Sequence, residues 1–159
     1  MFQKNILIAL LSIGSILLGY SYAHEWYGML ESEVQYWGYL SEALGLILLI
    51  LILPRFKGVI LTKVILFIGL IINIPPIILW FIFHGYRITD APPTISDQFI
   101  AHWAFSVPHV ILVAMCVYLL KLIKWNPASR LQFLFAFLLT GLSLYLLAYV
   151  LRFVSIFLN

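Results

Sequence analysis

The sequence predicts an all-α fold, a polytopic transmembrane helix bundle of five spans with its N-terminus cytoplasmic and its C-terminus outside. Three observations carry this. Of 159 residues, 64% are hydrophobic and only 9% charged, and the mean hydropathy is +1.09. No soluble domain of this length has enough interior for that much apolar surface. The apolar residues fall into five runs, each long enough to cross a bilayer. The cations are asymmetric: Lys4, Arg55, Lys57, Lys63, Lys121, Lys124 and Arg130 fall on one side, Arg87 and Arg152 on the other. Cytoplasmic loops carry the excess of Lys and Arg, so the first side is inside. All six acids, Glu25, Glu31, Glu33, Glu42, Asp90 and Asp97, fall toward the other. Chain 1–159 thus reads as a single integral membrane domain, and its tight loops suggest a bacterial inner (cytoplasmic) membrane.

The first span covers about residues 5–21, after Lys4. It reads as a retained span. The alternative is a signal peptide cut after Ser21-Tyr22-Ala23, which would leave His24 as an N-terminal amine and imidazole able to chelate copper. Residues 23–36 form an acidic loop in which Trp26, Tyr27, Leu30, Val34 and Trp37 recur at nearly helical spacing. That pattern predicts a short amphipathic helix lying on the surface. The second span, 37–53, carries Glu42 roughly 8 Å below Trp37 and stops at Pro54. Arg55-Phe56-Lys57-Gly58 is a basic turn.

The third span, 59–83, holds Asn73 and Pro75-Pro76 near its middle, where two prolines are expected to kink or break the helix. A polar loop over 84–97 contains His84, Arg87, Asp90 and Asp97. The fourth span, 98–122, carries His102 and His109, seven residues apart on one face and roughly 10 Å apart along the axis. Pro108 removes a backbone donor beside His109. After a basic loop with Pro127, the fifth span covers 131–158, with Arg152 near its outer end, placed to snorkel to the interface. Trp26, Trp37, Trp80, Trp103 and Trp125 lie where spans end, as interfacial anchoring predicts. Gly14-Ser15, Gly19, Gly45, Gly69 and Gly141 read as close helix-packing sites.

Several classes are excluded or disfavoured. No basic run suggests nucleic acid. The lone Cys116 rules out an internal disulfide and a dithiol relay. There is no HExxH, no CxxC and no His pair on adjacent turns. Asp90 and Asp97 are too loosely spaced to form an acid pair.

In the predicted orientation all four histidines fall in the outer half. Ionisable groups within a span are costly and normally face the bundle interior and pair. Glu42, His102 and His109 are therefore candidates for one outward-opening polar pocket with His84 at its mouth. Such a set suits zinc, copper or iron, haem held axially by two histidines, or proton exchange with a quinol. Each residue also has a plain structural reading. His24 and His84 are interfacial rings. His109 bonds a carbonyl freed by Pro108 or a neighbouring helix. Glu42 fixes helix packing, neutral or paired with a histidine. Asn73 satisfies backbone groups freed by Pro75-Pro76.

The span ending in His84-Gly85, followed by a span with mid-helix His109, resembles small polytopic proteins associated with haem–copper oxidase assembly. The resemblance covers only part of the chain. The family's basic-His pattern is replaced here by Leu61-Thr62-Lys63, and its His in the last cytoplasmic loop by Ser129-Arg130.

The leading functional expectation is a small non-catalytic membrane module, namely an accessory subunit, an assembly factor or an immunity-type protein. It would act in the lipid bilayer on a membrane protein partner or on a second copy of itself. Behind it stand an outward-facing metal, haem or quinol site, with haem, copper, zinc and no cofactor equally open, and then a carrier or channel using the discontinuities at Pro75-Pro76 and Pro108.

Overall fold

The computed structural model describes residues 2–25, 32–52, 58–82, 95–123 and 130–158, with side chains over 3–24, 35–52, 58–78, 107–123 and 130–157. Five α-helices account for nearly all of this: α1 (Phe2–Tyr20), α2 (Ser32–Ile52), α3 (Val59–Ile82), α4 (Ile95–Leu122) and α5 (Arg130–Leu158). They follow the five apolar runs to within a few residues. Four stretches are long and apolar enough to cross a membrane: Gln3–His24, Gln35–Ile52, Val59–Ile78 and Arg130–Phe157. In α4 the described apolar part, Val107–Leu122, is shorter. The chain is therefore helical, with the make-up of an integral membrane protein.

Around the bundle the helices run α1, α2, α5, α3, α4 and back to α1, and α2 touches α3 across the middle. The buried residues follow helical stripes. In α4 these are His109, Leu112, Cys116 and Leu119, followed by Ile123 just past its end; in α5 they are Thr140, Leu144, Ala148 and Ser155. Residues three or four apart share a face, so each helix turns one side inward. Helix α3 is the most enclosed, with Thr62 through Leu66 all buried.

Two expectations are corrected. First, 23–36 does not form a separate surface helix at the ends that are described. Ser21–Glu25 winds as a wider π-helical turn continuing α1, and α2 already begins at Ser32. Residues 26–31, with Trp26, lie outside the described residues.

Second, of the kink or break expected at the prolines, no break occurs at Pro75, Pro76 or Pro108. All three lie inside helices that run uninterrupted. A proline leaves the carbonyl four residues earlier without its donor. For Pro76 that carbonyl belongs to Ile72, and the indole Nε1–H of Trp37 donates to it at 2.7 Å. The donor that the helix lost is returned from α2. Trp37, expected as an interfacial anchor, is thus a cross-helix bond.

Candidate functional site

The α1–α2 seam sets the geometry from which the site is built. Ser12 Oγ donates to the Gly45 carbonyl at 2.6 Å, and Ser41 Oγ to the Ser15 carbonyl at 3.2 Å. A Cβ placed on Gly19 would lie 2.6 Å from the Gly38 carbonyl oxygen and would also meet the Glu42 amide. One on Gly45 would lie 2.7 Å from the Ser12 carbonyl, and one on Gly38 would lie 2.7 Å from the Ala23 amide. Only glycine allows the two backbones so close. Gly14 and Gly69 are also packed, against Leu112 and Cys116. Around Gly141, by contrast, no atom of the described residues outside its own stretch of helix lies within 4 Å of an added Cβ, so that expected packing site is open among them.

At the end of this seam the π turn lies against Gly38 and carries His24 toward α2. Its Nε2 lies 3.8 Å from Glu42 Oε2, with the two side chains 23% and 16% exposed. That is ion-pair distance rather than a direct hydrogen bond. The ring of His24 lies between Tyr20 and Tyr39, with centroids at 4.5 and 5.5 Å. Extra residues wound into a helix re-aim its side chains, and π turns occur often at functional sites. Here the turn buries Tyr22 and Ala23 and places His24 at the partner helix.

Beside it lies a cavity of about 450 Å³ whose polar lining is His24, Gln35, Tyr39, Arg152 and Ser155. Tyr39 and Ser155 share a 2.8 Å hydroxyl bond, and Ser155 Oγ donates to the Arg152 carbonyl at 2.7 Å. With the serine proton committed there, the tyrosine is the donor between the two. This bond ties α2 to α5 at the turn that carries Arg152.

His109 belongs to a second, deeper pair. Its Nδ1 lies 2.9 Å from Asn73 Oδ1, while Asn73 Nδ2 donates to the Gly69 carbonyl at 2.7 Å. The amide oxygen can only accept, so the proton sits on Nδ1 and Nε2 is left as a bare acceptor. Both side chains are buried, and His109 Nε2 has no hydrogen-bond partner. The Tyr22 ring meets the imidazole edge-on at 5.5 Å, so the π turn borders both histidines.

Two members of the expected pocket of Glu42, His102 and His109 have described neighbours. Glu42 pairs with His24, and His109 pairs with Asn73 on α3. His84 and the side chain of His102 lie outside the described residues. No three His, Cys, Asp or Glu side chains converge among the described residues. Among the described residues, the groups whose chemistry suits a metal or haem are His24 with Glu42, and His109 through Nε2.

Gln35, Tyr39 and Ser155 were not singled out from the sequence. The signal was there: Gln35, Tyr39 and Glu42 lie on one face of α2, and Arg152 and Ser155 lie one turn apart on α5. Lys63, counted only as a topology charge, is buried. Compared with family models, with curated proteins and with solved structures, the chain matches none.

Proposed function

We propose that this chain is a small, non-catalytic integral membrane module, an accessory subunit, assembly factor or immunity-type protein of a bacterial inner membrane. It crosses five times, with its N-terminus inside and its C-terminus outside, and acts by contact with a membrane protein partner or a second copy. One observation carries the reading. The buried polar side chains whose bonds are described pair mainly across helices: Ser12 with Gly45, Ser41 with Ser15, Trp37 with Ile72, Tyr39 with Ser155 and His109 with Asn73. Such bonds fix helix packing within lipid. The contact surface is the outer face of α5, where Leu138, Leu142, Tyr145 and Tyr149 are exposed.

The test is site-specific photo-crosslinking from Leu138, Tyr145 and Tyr149 in native membranes. A discrete protein adduct is expected, either a homodimer or one constant partner. It should persist when Glu42, His102 and His109 are replaced together by apolar residues. Adducts to lipid alone, or loss of the protein adduct in an inserted triple variant, would overturn the reading.

A second reading, an outward-facing metal, haem or quinol site, is favoured by the open Nε2 of His109 and by the His24–Glu42 pair. A Soret band or near-stoichiometric metal in protein purified in mild detergent, lost on replacing His24 or His109, would put it first.

A further inference from the structure

We propose that the cavity between the π turn, α2 and α5 binds the phosphate of an organic phosphate ester, with the Arg152 guanidinium as its principal anchor. The proposal goes beyond the contact role above and does not depend on it.

The cavity holds about 450 Å³, within the roughly 300–1,000 Å³ of small-molecule sites and too large for a bare ion. Its described lining includes the side chains of Arg152, Gln35 and His24, and no carboxylate. Glu42 stands against His24 but is not part of the lining. No described carboxylate pairs with Arg152 either.

The backbone turn that carries the arginine is anchored. Ser155 bonds the Arg152 carbonyl and Tyr39 bonds Ser155, so the turn carrying the guanidinium is tied to α2. The Arg152 side chain itself is exposed, and its planar fork suits an oxyanion bidentately. Position favours phosphate over carboxylate. The cavity lies where α1 ends, α2 begins and α5 nears its end; in the five-span reading proposed above, that end of the bundle meets the headgroups, where a bilayer places its own phosphates. The phosphate source is a lipid headgroup or a soluble ester, and the experiment separates the two.

The full chain is purified in mild detergent and offered three probes: phosphatidylglycerol, diacylglycerol (the same anchor without phosphate) and soluble glycerol 3-phosphate. Lipid retention is read by native mass spectrometry, and the soluble probe by thermal shift. Arg152→Gln and Gln35→Leu test the cavity. Arg130→Gln, about 33 Å away along α5, controls for loss of charge.

Retention of phosphatidylglycerol over diacylglycerol, weakened roughly tenfold by R152Q and less by Q35L but kept by R130Q, supports the site and makes it a lipid site. Stabilisation by glycerol 3-phosphate that R130Q keeps and R152Q loses supports it as a site for a soluble ester. The proposal is overturned if neither probe separates R152Q and Q35L from the parent, or if R130Q loses as much. Q35L leaves the arginine in place, so the test stands even where R152Q does not fold.

Discussion

Helices α1 and α5 are both long and apolar, yet the bundle uses them differently. Along α1, Ser12, Ser15 and Gly19 bring its backbone against Gly38, Ser41 and Gly45 of α2, with hydroxyl bonds across the seam. Helix α5 has a glycine too, Gly141, but it packs against nothing within 4 Å. Only 17% of its membrane-length window is buried, against 39% for α1 and 56% for α3. Small residues make a seam only where a partner helix offers small residues and carbonyls in register. In lipid there is no hydrophobic drive between helices, so close backbone approach and hydrogen bonds decide which faces lock. The locked seam positions His24. The outer face of α5 is left exposed, while its end carries Arg152.

The sharpest way to break the comparison is to fill the seam. Gly19→Leu and Gly45→Leu push a side chain into the facing backbone and should each cost about 3 kcal/mol, read by reversible unfolding in mixed micelles. Gly141→Leu should cost almost nothing in the same assay. If all three behave alike, the distinction between seam and open face is wrong.

A smaller effect is expected at the buried pair. His109→Leu leaves the Asn73 oxygen without a donor, and Asn73→Leu leaves the imidazole N–H without an acceptor. Each should cost about 1–2 kcal/mol. The double variant should lose clearly less than the two together. Strict additivity would mean that the 2.9 Å contact contributes nothing.

Trp37 gives a finer test. Trp37→Phe should cost about 1 kcal/mol through the lost bond to the Ile72 carbonyl. In a Pro76→Ala background the same change should be nearly silent, because the restored amide bonds that carbonyl within α3. An equal cost in both backgrounds would show that the indole does not compensate for the proline.

The smallest effect is expected at Gly141→Ala, within about 0.5 kcal/mol of the parent and on the stabilising side, since alanine is the better helix former. A marked loss of the α5 crosslink in that variant would locate the contact at this turn.

How much was legible follows from where each partner lies. The five helices and most of their ends were readable because apolar runs and the residues that stop them are local; the early start of α2 at Ser32 was not. The packing role of Gly19 and Gly45 was readable from residue type, but that of Gly141 was misjudged, because a glycine does not record whether another helix faces it. The unbroken course of α3 through Pro75 and Pro76 was illegible for the same reason. The replacement donor, Trp37, comes from a helix that ends before α3 begins.

By itself, then, the sequence determined a helical chain with the make-up of an integral membrane protein, the approximate course of its five helices, and the presence of Glu42, Asn73 and His109 within apolar runs. Tertiary structure alone decided that Glu42 meets His24, that His109 meets Asn73, and that Arg152 borders a cavity with Gln35 and His24. Helix formation depends on neighbours within a few residues. Each of those pairings depends on which faces of two separate helices the glycine seam and the cross-helix hydrogen bonds bring together.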